Sequence, residues 1–300
     1  MHLVELEQAL RTGVDCETWV QRIASYFESH TLYFGHGTDN AADEAYWLVR
    51  AVQGWSEGAW GSPPDPSAIP RVLELARTRV ELRKPMAYLL GEAWFAGLRF
   101  TVDDRVLVPR SPLAELIESC FEPWCRIAPG DRLLDVGTGS GCLALAAAYH
   151  CPSLRVDATD VSSAALEIAK SNAAALELED RVTLILADLY PPRGAVYEII
   201  VSNPPYVPTS RLAELPREYT HEPALGLDGG PVGLDVIARL LAEAPAYLAP
   251  GGSLIIEVGE AQDAFTAAYP ELPVTWLEFE RGGEGVFLVS RDDLTGHLTS

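Results

Sequence analysis

"LLDVGTGSGCLAL", residues 133–145, decides the fold. A short apolar run carrying Asp135 meets Gly137, Gly139 and Gly141, and an alanine- and leucine-rich stretch follows. An apolar run closed by glycines and followed by good helix formers reads as strand, loop, helix. The loop is not a dinucleotide fingerprint. That pattern needs a glycine three places after its second one, and Cys142 stands there instead. What remains is D-x-G-x-G-x-G, in which no pyrophosphate cradle is required. Glycine lets a ligand approach the backbone closely. A tight structural turn explains the same loop without any ligand.

Outward from this loop, the rhythm repeats. "LRVDATD", "RVTLILAD", "YEIIVSN" and "GSLIIEV" read as strands, separated by helical stretches such as "SAALEIAKSNAAAL" and "VGLDVIARLLAEAPAYL". This alternation predicts an α/β fold, an open and mostly parallel sheet with helices on both faces. Ligands of such sheets bind at the carboxyl ends of the strands. Those ends carry chemistry. Asp160 closes the second strand, where a carboxylate accepts ribose hydroxyls or, on the bland reading, caps the next helix. Asp188 closes the third and suits an adenine amino group, or a simple turn. The fourth ends in Asn203, Pro204, Pro205 and Tyr206. Two prolines cannot continue a central strand, because neither offers an N–H. They also leave a rigid set of carbonyl acceptors beside an amide and an aromatic ring. The last stretch, "VTWLEFERGGEGVFLVS", reads as two strands around Gly282-Gly283, a hairpin signal.

The first ninety residues are of another kind. Leu3, Leu6, Leu10, Trp19, Ile23 and Phe27 recur at helical spacing, and "GSPPDPS" (61–67) is a proline-rich break. "AWFAGLRFTVDDRVLVPR" alternates like strands, with Asp103-Asp104 as its turn. The expected organisation is a helical domain over 1–92, a β-hairpin linker over 93–110 and a sheet domain over 111–300. The formal net charge of −21 argues against nucleic-acid binding and suits a basic protein partner. No apolar run is long enough to cross a membrane, and the start has no signal-peptide pattern. The five cysteines fit no metal spacing and read as reduced thiols of a cytoplasmic protein.

The glycine loop, Asp160, Asp188 and "NPPY", in this order, resemble the class I S-adenosylmethionine-dependent methyltransferases, with a Rossmann-like seven-stranded sheet. "NPPY" is shared by two groups of that class, which methylate DNA adenine amino groups and protein glutamine amides. Over the whole chain the resemblance is to the protein-(glutamine-N5) methyltransferases. "PRSPLAELIE" (109–118), "YFGHGTDNAADEAYWLV" (33–49) and "LEFERGGEGVFLV" look like the branch that acts on ribosomal protein L3, rather than the release-factor branch. The resemblance implies S-adenosylmethionine as cofactor and no metal. It places the cofactor on Asp135, Gly137, Thr138, Gly139, Ser140, Gly141, Asp160, Val161, Asp188, Leu189 and Asn203. It places catalysis on Asn203, Pro204, Pro205 and Tyr206, with the Asn203 side-chain oxygen and the Pro204 carbonyl accepting the two amide N–H groups. Phe100, Pro109, Arg110 and Glu222 are candidates for a substrate entrance, each with a structural reading beside it. His36 and Asp39 read as parts of a turn, with Thr38 or Asp39 capping the helix that follows. A release-factor methyltransferase and a cofactor-binding module without turnover are the alternatives.

Overall fold

A computed structural model describes residues 1–13, 15–55 and 63–299. Residues 61 and 62 of the expected proline-rich break lie outside them. The chain divides into two compact units, 1–92 with 216–221, and 93–215 with 222–300.

The first unit is helical: α1 (Leu3–Thr12), α2 (Cys16–Glu28), α3 (Ala41–Gln53), α4 (Ile69–Leu82) and α5 (Met86–Leu90). Leu6, Leu10, Trp19, Ile23, Phe27 and Leu48 are its buried apolar stripe. Asp15 caps α2 by accepting from Thr18 N at 2.7 Å. The cap of α3 is Asn40, which accepts from Asp43 N at 2.9 Å, and not Thr38 or Asp39. All three types cap well, and the backbone turns helical only after the third. Arg79 is buried at the centre. It donates to Glu44 Oε1 at 2.7 Å, to Glu218 Oε1 at 3.0 Å and to the Tyr33 carbonyl at 2.7 Å. Three acceptors around one guanidinium make its burial tolerable. His36 is buried in an aromatic cluster, its ring 4.6 Å from that of Tyr219.

A hairpin, β1 (Glu92–Phe95) and β2 (Leu98–Thr101), follows. It turns at Ala96 and Gly97, both at positive φ, and not at Asp103-Asp104. Asp103 does make a turn, accepting from Arg105 N at 3.0 Å, but no strand follows it. The alternation of Val106 and Val108 misleads there, because Val108 N–H goes to the Glu222 carboxylate at 3.0 Å. Phe100 is fully buried, its ring 6.5 Å from that of Phe95.

The rest builds one seven-stranded sheet. In chain order it comprises α6 (Leu113–Glu118), β3 (Arg132–Val136), α7 (Cys142–His150), β4 (Arg155–Asp160), α8 (Ser163–Ala175), β5 (Val182–Leu186), β6 (Tyr197–Ser202), α9 (Asp235–Glu243), β7 (Leu248–Glu257), α10 (Gln262–Ala268), β8 (Thr275–Trp276), β9 (Val286–Ser290) and α11 (Arg291–Thr299). The strand order is β5-β4-β3-β6-β7-β9-β8. Strands β3 to β7 pair in parallel, and β9 runs antiparallel to β7 and β8. Order reverses between β3 and β6, so the crevice of a doubly wound sheet falls there. The central strands are continuous apolar runs, as a sheet covered on both faces requires; Leu133, Leu134, Ile200, Val201, Leu254 and Ile255 are almost wholly buried. Asn172 of α8 ties the glycine loop to the hairpin, donating to the Ser140 carbonyl at 2.9 Å and accepting from Thr101 N at 2.7 Å. Cys120 and Cys151 are joined as a disulfide, with Cα atoms 5.5 Å apart, against the expectation of five reduced thiols. Their closeness arises from α6 packing on α7 and cannot be read from a spacing of 31. Among the described residues, no helix is long and apolar enough to cross a membrane.

Candidate functional site

Three strand ends and two loops surround one cavity of about 340 Å³. The first wall is the loop after β3. Gly137 and Gly139 have φ of 76° and 56°, and nothing stands within 4 Å of where a Cβ would be. A side chain there would project into open space, so the bare backbone faces the cavity. Asp135 lies just beneath. Its Oδ2 accepts from Thr138 Oγ1 at 2.6 Å and from Ala144 N at 3.2 Å. Its Oδ1 is buried without a hydrogen-bond partner, and so is Ser140 Oγ. Burial pushes the Asp135 carboxyl up to about 7, against the pull of the Thr138 and Ala144 hydrogen bonds. Asp135 does not line the cavity and acts from below, fixing the loop through Thr138 and Ala144, and Gly141 packs against Leu145 and Ala169 rather than facing the cavity.

The second wall is the end of β4. Asp160 accepts from Gly139 N and Ser162 N, each at 2.8 Å, one on each carboxylate oxygen. Each oxygen keeps a further lone pair for a ligand hydroxyl. Burial raises its pKa, partly countered by the Ser162 and Gly139 N–H groups. Capping falls to Ser162, which accepts from Ala165 N at 3.2 Å at the start of α8. Val161, Asp188 and Leu189 also line the cavity. Asp188 is engaged by Arg239 of α9 at 2.9 Å. Leu189 has φ 66°, in the left-handed region, and its carbonyl accepts from Thr159 Oγ1 at 2.6 Å.

The third wall is the end of β6. Ser202 donates to the Val136 carbonyl at 2.7 Å, which locks β6 to β3 at their carboxyl ends. Asn203, Pro204 and Pro205 then line the cavity. The chain beyond them is fastened by a parallel bridge between Val207 and Asp228, so the loop of "ALGLDGG" holds the proline run in place. Tyr206 is not among the lining residues. Its ring lies against Gly259, and its hydroxyl is 3.4 Å from Glu257 Oε1.

Residues 105–111 close the mouth, with Leu225 and Gly226 of the loop before α9. Pro109 and Arg110 line it, and Phe100 does not. A core site between two strands claims Phe100 instead. Arg110 makes a bidentate pair with Glu222, both contacts at 2.6 Å. Glu222 also takes Val108 N–H, so it braces the mouth from behind. Two residues of this site escaped the reading of the sequence. Glu257 ends β7 as Asp160 ends β4, and Ser111 donates to it. The signal was present, since "LIIEV" places an acid at one more strand end. Among the described residues, no group of three His, Cys, Asp or Glu side chains is placed to hold a metal.

Comparison with known proteins places this arrangement. The Methyltransferase small domain model matches residues 116–214. The ribosomal protein uL3 glutamine methyltransferase of Bordetella pertussis is 46% identical over 288 residues, 92% of this chain and 94% of that relative. That of Xanthomonas campestris pv. campestris is 45% identical over 278 residues, 91% of this chain and 90% of the relative. Among solved structures, the hMettl16 catalytic domain in complex with MAT2A 3′UTR hairpin 6 matches with a TM-score of 0.50 and 16% identity, over 77% of this chain and 84% of that one. That likeness concerns the fold alone, a class I methyltransferase sheet. The two relatives, alike along nine-tenths of the chain, give the closer kinship: the chain belongs to the ribosomal protein uL3 glutamine methyltransferase family.

Proposed function

We propose that this methyltransferase transfers a methyl group from S-adenosylmethionine to the side-chain amide nitrogen of a glutamine in ribosomal protein L3. One observation carries the chemistry: the bare glycine loop with Asp160 and the Asn203-Pro204-Pro205 run line the same cavity. The relatives' names and their share of the chain support the substrate.

The residues present fit the cofactor. Gly137 and Gly139 leave room against their backbone, and Asp160, which lines the cavity, keeps lone pairs for ribose hydroxyls. When bound, S-adenosylmethionine supplies an electrophilic methyl group. The work of the protein lies with the nucleophile. An amide nitrogen is poor in this role because its lone pair is delocalised into the carbonyl. Asn203 Oδ1 and the Pro204 carbonyl each accept one N–H, which fixes the nitrogen and favours the geometry in which its lone pair is free. Acceptors held by prolines and by the bridge to Asp228 need no reorganisation as positive charge grows on nitrogen. Arg110, clamped by Glu222, keeps the mouth in shape.

The net charge of −21 suits a basic ribosomal protein, whose approach it steers. We assign substrate choice to the helical region 1–92 and the hairpin, where the motifs resembling the L3 branch begin. Steered association weakens with salt, as the Debye length falls to about 3 Å at 1 M. The test is transfer of a labelled methyl group to purified L3, to release factor and to duplex DNA, at low and high salt. Labelling of L3, faster at low salt, is expected. Labelling of release factor in preference to L3 moves the substrate to the other branch. Cofactor binding with no labelling of any of them makes the chain a binding module.

A further inference from the structure

The mechanism above leaves one thing open. An asparagine amide presents either an acceptor or a donor to its neighbour, and only the acceptor suits the substrate N–H. Something must choose. Strands β6 and β7 pair in parallel with Ser202 opposite Ile256. The next residue on each strand is Asn203 and Glu257, so register alone brings them together at the carboxyl edge. Glu257 is 5% exposed. Ser111 Oγ donates to its Oε2 and Tyr206 Oη approaches its Oε1 at 3.4 Å, while the β6–β7 register sets Asn203 beside it. From β9 it faces Val286, which is apolar. Arg110 is the cation that acts on it, itself clamped by Glu222.

We propose that Glu257 is a positioning residue that sets the orientation of the Asn203 amide, turning its NH₂ inward and its oxygen to the substrate. An ionised carboxylate only accepts hydrogen bonds, so the Asn203 group facing it must be the NH₂. The oxygen then points the other way. Ser111 and Tyr206 hold the carboxylate still. The inference rests on the reading of Asn203 as the acceptor for the substrate amide. Burial raises the Glu257 carboxyl to about 7, while Ser111, Arg110, Tyr206 and Asn203 favour its ionised form. Protonation near that pH gives the carboxyl a donor and removes the constraint.

The test is Glu257→Gln in the full chain. A glutamine offers both a donor and an acceptor, so it holds the same space without choosing an Asn203 orientation. Turnover on L3 should fall about tenfold or more at pH 8, with cofactor affinity and the KM for L3 little changed. A second readout is the Asn203 side-chain NH₂ pair in ¹H–¹⁵N spectra, assigned by its loss in Asn203→Ala. In the parent protein these signals should shift with a midpoint near pH 7, and in Glu257→Gln they should not. Parent-like turnover in a folded Glu257→Gln protein, or an Asn203 titration that persists in it, overturns the proposal. If the parent protein itself leaves L3 unmethylated, the proposed function fails instead. The NH₂ titration still decides the orientation of Asn203 in that case.

Discussion

Gly259→Ala tests whether the attitude of Tyr206 matters to the site. Gly259 has φ 45°, in the left-handed region. A methyl group there would lie 2.7 Å from Cε2 and Cζ of Tyr206 and 2.9 Å from its hydroxyl. The backbone penalty for a non-glycine residue in this region is about 1–2 kcal/mol. Overpacking adds about 1–3 kcal/mol, so a loss of about 2–5 kcal/mol is expected. Ordinary carbon contacts lie at ~3.5–4.0 Å, so the ring must move by about 1 Å. Tyr206 cannot move alone, since it follows Pro204-Pro205 and precedes the bridge at Val207. A displacement of that size near the reacting groups costs ~100-fold in rate. The assay is denaturant unfolding together with single-turnover methyl transfer and calorimetric cofactor affinity. The first two should fall and the third should hold, because the walls proposed to hold the cofactor are the ends of β3 and β4. A folded variant with full turnover refutes the link between Tyr206 and the amide site. Loss of cofactor affinity would place Tyr206 on the cofactor side.

Other outcomes follow from the same geometry. Asp160→Ala should weaken S-adenosylmethionine binding by about 1–3 kcal/mol, the cost of stranding polar partners; calorimetry measures it, and unchanged affinity removes Asp160 from the site. Asn203→Ala should lower kcat about a hundredfold or more while sparing cofactor affinity, as steady-state and binding measurements can separate. Arg79→Leu leaves buried Glu44 without its cation and Glu218 with only Arg83 at 3.7 Å, and should cost about 3–5 kcal/mol in urea unfolding. The pH dependence has a definite sign. Folded Glu257 holds its proton more tightly than the unfolded chain does, with the pKa raised to about 7 from 4.5. Its contribution to stability is therefore fully present below pH 4.5 and declines as pH rises to about 7. Glu257→Gln should match the parent in thermal stability at pH 4 and exceed it at pH 8; a constant difference across that range contradicts the buried, proton-holding carboxyl.

What the sequence made legible is what depends on neighbours along the chain. The strand of "RLLDV" and the glycines after it, the acids closing "DATD" and "ILAD", and the proline stop after "EIIVS" each announce themselves locally. The sheet follows from their alternation. What depends on pairing between distant segments was hidden. Glu257 acquires its meaning only from the β6–β7 register, and Ser111 only from folding onto Glu257. Glu222 was a candidate for the substrate entrance, but its partners, Arg110 and Val108 N–H, come from a segment more than a hundred residues away. Phe100 offered an aromatic ring beside functional neighbours, but alternation in β2 turns it into the core. The hairpin turn was misread because Asp103-Asp104 is the stronger local turn signal, while Ala96 reaches positive φ only with Gly97 beside it. The helix α11 went unread. Ser290 caps it, accepting from Asp293 N at 3.1 Å, a short-range signal overshadowed by the preceding strand.

The central claim is that the methyl group arrives on a glutamine side-chain amide of L3. Mass spectrometry of L3 after incubation with the protein and isotopically labelled S-adenosylmethionine tests it most directly. The account predicts one labelled methyl group, located by fragmentation on the side-chain nitrogen of a single glutamine, and none when Asn203→Ala is used. A label on lysine, on a terminus or on no residue of L3, with the cofactor shown to bind, would contradict it.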